Sequence, residues 1–178
     1  MKKIITIIFL LLFVTGCSKK ETTSDVVKRY LDNYNNLSKD VKKSLDSITN
    51  REEFSSSNKE MYKKIFIRQY KDLKYTILTE EYDDDKALIT VNINVYDLNK
   101  AEETALDYLS KNLKDFYNED NKFDNSKYIA YKLKLMCEST DRINYEVVFY
   151  LYYKNNKWVL EQPTDSDLEK IHGIYNED

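Results

Sequence analysis

The stretch from Leu73 to Leu98 reads LKYTILTEEYDDDKALITVNINVYDL, and it decides the fold class. Apolar side chains alternate with polar ones on both sides of an acidic segment, Asp83 to Asp85. The alternating apolar positions are Leu73, Tyr75 and Ile77 before this segment, and Ile89, Val91, Ile93 and Val95 after it. A period of two is typical of strands with one buried and one solvated face. The stretch therefore predicts an antiparallel hairpin that turns at the acidic segment.

The chain before the hairpin carries helical spacing instead. Serine, aspartate and asparagine are favoured N-caps, so helices are predicted to begin near Ser24 or Asp25, after Ser38, and near Ser57 or Asn58. Apolar residues recur at three- and four-residue intervals behind each start. These segments predict three helices that precede the sheet.

The chain after the hairpin returns to helix and then to strands. Asn99 opens a predicted helix whose buried stripe would be Ala105, Leu106, Leu109, Leu113 and Phe116. Three strands are predicted at Lys127–Glu138, Ile143–Lys154 and Lys157–Gln162, followed by a helix at Asp167–Ile171 that Thr164 or Ser166 caps. Asn155 and Asn156 suit a tight turn with positive φ. The predicted fold class is α+β, with N-terminal helices packed on a curved, cone-like antiparallel sheet.

This order of elements resembles the nuclear transport factor two-like superfamily, also called cystatin-like cones. Three segments carry the resemblance: the opening SDVVKRYLDNYNNL, the hairpin that feeds directly into a helix, and the closing KNNKWVLEQPTDSDLEKI. They cover most of Asp25 to Ile171. The resemblance implies a curved sheet around a long helix, with an open end that often serves as a pocket. Whether the stretch Tyr62 to Tyr70 fills that pocket stays open.

The N-terminus has the pattern of a sorting signal. Lys2 and Lys3 precede an apolar run, Ile4 to Val14, that would span about 16 Å as a helix, against about 30 Å of hydrocarbon. A basic start and a short apolar run are typical of a secretory signal peptide. The residues that follow, VTGC, resemble the lipobox of bacterial lipoproteins. The resemblance implies cleavage between Gly16 and Cys17 and a diacylglyceryl group on the Cys17 sulfur.

The lipobox resemblance sets the predicted organisation and location of the protein. It predicts a signal peptide at 1–16, a lipidated polar tether at 17–24 and one α+β domain at 25–178. Two acyl chains give stable membrane anchoring, so the protein is expected on the extracytoplasmic face of the cell membrane, held by the lipid on Cys17. The abundance of lysine and asparagine is typical of a low-GC Gram-positive source.

Composition excludes several classes of partner and chemistry. The net charge is -3 and no basic stripe indicates a nucleic-acid partner. The sequence has two cysteines, so with Cys17 lipidated, Cys137 has no intramolecular disulfide partner and is predicted as a buried, inert thiol in a strand. His172 is the single histidine, and it is expected to be solvent-exposed near a fraying chain end.

The sequence predicts no catalytic set, no cofactor and no metal. The acidic segment Asp83–Asp85 is interpreted as a solvated turn, and the loop NEDNKFDNS lacks the glycine and distal glutamate of a calcium loop. Tyr96, Tyr150 and Tyr152 alternate away from the predicted buried faces. They are candidates for a groove or a partner patch, although tyrosines that cover the rim of a sheet would show the same pattern.

These observations favour a non-enzymatic module that binds a protein or a small ligand. One alternative is a cone-fold enzyme that uses Asp or Glu with Tyr in an apolar pocket, which predicts an enclosed carboxyl group with a raised pKa. Another is an immunity-type or inhibitor-type cap for an envelope protein, which predicts a large exposed tyrosine-rich patch.

Overall fold

Three helices form the first part of the structure. The computed structural model describes residues 21–176, so the predicted signal peptide, Gly16 and Cys17 lie outside the described residues. The helices are α1 (Thr23–Asn35), α2 (Lys39–Arg51) and α3 (Ser56–Lys71). All three predicted helices are therefore present, each within two residues of its predicted start.

The N-caps explain the exact starts. Thr22 forms a capping box at α1, so this helix begins a residue earlier than predicted. Ser38 caps α2, as predicted. The cap of α3 is Ser55 and not Ser57, because the Ser55 hydroxyl accepts a hydrogen bond from the Asn58 backbone N–H at 3.2 Å. A run of three serines leaves this choice open in the sequence, since each is an equally good cap.

The sheet has four antiparallel strands in the order β1-β2-β3-β4. They are β1 (Lys74–Asp83), β2 (Lys86–Tyr96), β3 (Arg142–Lys154) and β4 (Lys157–Leu160). The predicted hairpin is confirmed, and its register shifts between Ile77 and Thr79, where Leu78 bulges into solvent. Asn155 and Asn156 join β3 to β4 with φ of 52° and 63°, which confirms the predicted turn. The α+β class with helices packed on a curved antiparallel sheet is confirmed.

The two faces of the sheet differ. The inner face of β2 and β3 is fully buried and carries Ile89, Val91, Ile93, Val147 and Phe149, each at most 2% exposed. Helices α1 and α6 (Asp165–His172) pack on this face through residues such as Val27 and Ile171. The outer face carries Leu88, Val148, Tyr150 and Tyr152, of which Tyr150 is 52% exposed.

A helical insert separates β2 from β3. It consists of α4 (Leu98–Lys111), a 3-10 helix (Leu113–Phe116) and α5 (Asn125–Glu138). The strand predicted at Lys127–Glu138 is wrong, because Asp124 caps a helix here and accepts hydrogen bonds from two backbone N–H groups. Leu133 and Met136, three residues apart, are buried among α3 and α4. Cys137 consequently lies on a helix, as a half-buried free thiol.

The predicted stripe of α4 is only partly buried. Ala105 and Phe116 are buried, whereas Leu106 is 58% exposed and Leu113 is 46% exposed. The prediction for these two leucines is wrong, because α4 packs mainly against α5 and the chain leaves helical spacing at Asn112, before the 3-10 helix.

The core divides into two clusters. The sheet cluster joins the inner face of the sheet to α1 and α6. The helical cluster joins α2, α3, α4 and α5 through residues that include Leu45, Ile65, Leu98 and Leu133. Tyr34 of α1 packs against both clusters, so the seam between them runs past this residue.

Candidate binding cleft

A cleft of about 470 Å³ opens along the seam between the two clusters. Its walls come from α1, α2, α3, α6 and the segment after β4, through Tyr30, Asn33, Tyr34, Ser38, Asp40, Val41, Ser44, Ile48, Tyr70, Gln162, Leu168 and His172. Pockets that hold small molecules typically measure about 300–1,000 Å³. The cleft therefore has the size of a small-molecule site.

Four aromatic rings form one side of the cleft. Tyr30 and Tyr34 lie one helical turn apart on α1, with ring centroids 5.6 Å apart. Tyr34 meets Tyr70 at 5.1 Å, and Tyr70 meets His172 at 5.6 Å. The geometry between the tyrosines is edge-to-face, which aromatic pairs prefer. Three separate helices thus build one continuous aromatic wall.

Burial keeps the titratable groups of this wall uncharged. Desolvation raises the pKa of Tyr30, Tyr34 and Tyr70, so their hydroxyls stay protonated. Desolvation also lowers the pKa of His172 from 6.5 to about 4, so its imidazole is neutral at physiological pH. The wall therefore presents neutral donors and acceptors.

Two of these polar groups have no partner within residues 21–176. The Tyr30 and Tyr34 hydroxyls lie 3.3 Å apart and bond to each other. By contrast, neither the Tyr70 hydroxyl nor the His172 imidazole takes part in a hydrogen bond with any described residue. A hydroxyl and an imidazole that line a cleft without a partner are available to a ligand.

The position of His172 is fixed through its backbone. The Gln69 side-chain amide donates a hydrogen bond to the His172 carbonyl at 2.8 Å. The next residue, Gly173, ends α6 in the left-handed region with φ of 72°, and its carbonyl accepts from the Leu98 N–H at 2.9 Å. A Cβ at Gly173 would lie 2.2 Å from the Tyr96 carbonyl oxygen, so only glycine fits here.

This placement corrects the prediction for His172. The sequence suggested a solvent-exposed side chain near a fraying end, but the ring packs against Tyr34, Phe66 and Tyr70. That prediction rests on the short distance between His172 and the end of the chain. The Thr164 cap and the Gly173 stop, which together define α6 as an ordered helix, are the local signals that could have corrected it.

The charge around the cleft is low. None of its lining residues is a lysine or an arginine, and its one carboxylate, Asp40, is exposed on α2. An anionic ligand would meet no cationic side chain there, and burial of an unpaired charge is costly. The lining therefore disfavours an anionic ligand.

The three tyrosines predicted as binding candidates lie outside the cleft. Tyr96 is held between the guanidinium groups of Arg68 and Arg142, at 4.1 and 4.6 Å from its ring centroid, and its hydroxyl donates to Asp72 at 2.8 Å. It is thus occupied by contacts within the protein. Tyr150 and Tyr152 lie together near the opposite end of the sheet, so the structure does not bring the three into one site.

Tyr150 instead borders a depression on the outer face. This depression measures about 390 Å³, and Tyr82 and Leu88 also line it. In the register of the sheet, Leu88 lies directly opposite Tyr150. The candidate role of Tyr150 and Tyr152 as a partner patch stays a prediction.

The described part of the chain contains neither a metal-binding cluster nor a helix that could span a membrane. Within residues 21–176, no group of three or more His, Cys, Asp or Glu side chains is placed to hold a metal ion. Over the same residues, no helix combines the length and apolar character that crossing a bilayer requires.

Comparison with known proteins bears on the N-terminus. A family model for the prokaryotic membrane lipoprotein lipid attachment site matches residues 1–18, which include Gly16 and Cys17. This match supports a bacterial lipoprotein that associates with the membrane through a lipid anchor. The individual roles of Gly16 and Cys17 stay predictions.

One solved structure is similar over most of the chain. It is the crystal structure of a protein described as a lipoprotein, YcdA of Bacillus subtilis subsp. subtilis strain 168, with 12% identity and a TM-score of 0.38. The match covers 88% of this chain and 48% of that chain, so this protein spans about half the length of YcdA. No curated protein matches the sequence. The resemblance to cystatin-like cones stays a prediction.

Proposed function

We propose that this lipoprotein is a non-enzymatic, extracytoplasmic binding protein that takes a small, uncharged and partly apolar ligand into the cleft. One observation carries the proposal: the cleft presents a neutral imidazole, His172, and the Tyr70 hydroxyl without partners among the described residues. A ligand that hydrogen-bonds to both groups while its apolar body packs on the aromatic wall would satisfy them.

The enzyme alternative finds less support in the same geometry. It requires an enclosed carboxyl group beside a tyrosine to act as a base. The lining residues of the cleft include one carboxylate, Asp40, and it is exposed. The neutral His172 has no carboxylate partner among the described residues to orient it as a base.

The cap alternative rests on a different surface. It predicts a tyrosine-rich patch in place of a cleft, and Tyr150, 52% exposed on the outer face, would belong to such a patch. The aromatic wall of the cleft, however, is formed by the buried Tyr70 and the half-buried Tyr30 and Tyr34. We therefore favour a small ligand over a protein partner.

The anchor is tested at Cys17. We expect the wild-type protein to incorporate radiolabelled palmitate and to sediment with membranes, because the thioether carries the acyl chains. Cys17→Ser should lose both the label and the cleavage after Gly16. Label that persists in Cys17→Ser would contradict the anchor site.

The ligand site is tested by a fragment screen against the mature lipoprotein in detergent. The probes are neutral fragments, with anionic and cationic analogues of matched size. We expect neutral fragments to bind and Tyr70→Phe to weaken them by about three- to tenfold, the worth of one neutral hydrogen bond. This variant keeps the ring and removes a hydroxyl without a partner, so the fold should be unaffected.

Tyr150→Phe is the matched control, since it removes the same atom from the exposed outer face. It should leave affinity unchanged. Equal weakening by both variants, or a preference for anionic fragments, would contradict the cleft as the binding site.

A further inference from the structure

Three aromatic side chains lie together at one end of the sheet. Trp158 of β4 packs edge-to-face on Tyr82 of β1 at 6.0 Å and on Tyr153 of β3 at 5.2 Å, measured between ring centroids. We call these three residues the aromatic end. Tyr82 is 58% exposed and the other two are half-buried, so the cluster reaches solvent.

The start of α1 lies at this same end. The Tyr82 hydroxyl is 2.7 Å from the Thr23 hydroxyl in the first turn of α1. Glu21, the first described residue, borders a depression of about 390 Å³ together with Trp158 and Tyr153. The point at which the chain enters the domain is therefore next to the aromatic end.

The short segment between Cys17 and Glu21 limits how far the aromatic end can lie from the membrane. Cys17 precedes Glu21 by four residues, and four fully extended residues reach about 14 Å. The polar layer on each side of the hydrocarbon is about 5–8 Å thick. With its acyl chains in the bilayer, Cys17 therefore holds Glu21, and the aromatic end beside it, within or just above the headgroups.

The chemistry of the aromatic end suits that location. Tryptophan and tyrosine are enriched where membranes meet water, because each combines an apolar ring with a polar atom. The neighbouring charges have both signs: Glu21 and Asp84 line the same depression as Lys157, and Lys86 follows the acidic turn Asp83–Asp85. Attraction to anionic lipids is thus a lesser factor than ring contact.

The geometry points to the aromatic end as a membrane-contacting surface that docks the domain on the headgroup layer of its own membrane. This inference rests on the lipid anchor of the proposed function. Helix α1 connects the aromatic end to the cleft, since Tyr34 lies eleven residues beyond Thr23, about 16 Å further along the helix. Docking of the aromatic end therefore also sets the orientation of the cleft relative to the membrane. The domain stays attached by its lipid, and the aromatic rings fix which side faces the bilayer.

The test uses Trp158, the single tryptophan of the chain, as its own reporter. The mature lipoprotein is reconstituted into phosphatidylcholine vesicles with and without a spin label on the headgroup. Flotation of the vesicles first shows whether the anchor holds. We expect Trp158 emission to shift to the blue, to lose intensity with labelled lipid and to resist quenching by iodide in solution.

A matched reporter provides the control. In a Trp158→Phe background, Leu106→Trp places the single tryptophan on α4, at a position that is 58% exposed. Helix α4 begins about 33 Å along β2 from the hairpin tip, and Leu106 is about 12 Å along α4. A tryptophan at position 106 is therefore at least about 20 Å from the hairpin tip and the aromatic end. It should keep its intensity with labelled lipid and remain open to iodide.

The outcomes separate the anchor from the docking. Failure to float would overturn the anchor and the docking together. Flotation with equal quenching of the two reporters, or with no quenching of Trp158, would overturn the docking alone. Quenching that requires phosphatidylglycerol and disappears in salt would also overturn it, because the contact would then be electrostatic. The fragment screen of the cleft is independent of all these results.

Discussion

Two polar junctions fasten helices to the sheet, and in each of them one side chain makes three hydrogen bonds. In the buried junction, the Gln69 side-chain amide donates to the carbonyls of Tyr96 and His172 and accepts from the Tyr96 N–H. In the surface junction, the Glu80 carboxylate accepts from the hydroxyls of Thr23, Ser24 and Tyr82. The number of bonds is equal, but the surroundings are not.

Burial separates the two junctions. Gln69 is 1% exposed, whereas the Glu80 carboxylate is exposed on the edge strand β1, although two of its donors, Thr23 and Ser24, are buried. A buried polar group that loses its partner cannot turn to water, so its loss is costly. An exposed carboxylate exchanges its partners for water at little cost. The seam beside the cleft therefore depends on a few buried bonds, whereas the start of α1 tolerates the loss of its bonds to the exposed Glu80 carboxylate.

The largest expected effect follows from removal of the buried amide. Gln69→Leu would leave the Tyr96 N–H, the Tyr96 carbonyl and the His172 carbonyl without partners. At about 1–3 kcal/mol for each unsatisfied group, we expect the free energy of unfolding to fall by about 3–5 kcal/mol. Urea unfolding at neutral pH, followed by circular dichroism, measures this loss.

The matched control is Gln162→Leu, the same substitution at an exposed glutamine on the rim of the cleft. Its effect should stay within about 0.5 kcal/mol, as for most surface substitutions. A loss below about 1 kcal/mol for Gln69→Leu would show that burial does not determine how much a junction contributes to stability.

The next effect concerns His172, whose carbonyl belongs to the buried junction. Its pKa is about 4 in the folded protein and 6.5 as the ordinary value, because the ring is buried among Tyr34, Phe66 and Tyr70. Between these two values the unfolded chain binds the proton and the folded protein does not. Stability is therefore complete above pH 6.5, falls as the pH drops towards 4, and levels off below. The total change is about 3 kcal/mol.

His172→Gln isolates this contribution, since the chain has a single histidine. Urea unfolding of both proteins across this pH range should show a steeper decline for the wild type. Parallel declines would contradict a neutral, enclosed imidazole. They would also remove the neutral imidazole from the groups that the cleft offers to a ligand.

Local signals account for what the sequence predicts well. The alternation in β2, the acidic turn and the Asn155–Asn156 turn each lie within a few residues, so the four strands that do form the sheet could be predicted from local patterns. In α5, local patterns predict a strand where the structure has a helix. Lysines alternate with apolar residues from Tyr131 to Cys137, which mimics a strand, and the deciding contacts come from α3 and α4.

The cleft lies beyond local reasoning for a related reason. Tyr34, Tyr70 and His172 sit on three helices, and Gln69 bonds to His172 across 103 positions of the chain. Nothing in the sequence near any one of them shows the others. The sequence shows a glycine at position 173, but it does not show that Gln69 and Tyr96 occupy the space that a Cβ would need there.

The smallest expected effect is at the surface junction. Hydrogen bonds from Ser24, Tyr82 and Thr23 lower the pKa of Glu80, so its contribution to stability is present above its ordinary pKa of 4.5 and is lost as the pH falls below that value. Because Glu80 is exposed, we expect Glu80→Gln to lower the free energy of unfolding by no more than about 1 kcal/mol at neutral pH, and the difference should close in acid.

The control is Glu81→Gln, which changes the next residue on the opposite face of the same strand. Urea unfolding at neutral and acidic pH measures both variants. A loss as large as that of Gln69→Leu would mean that the first turn of α1 is as critical to the fold as the buried seam.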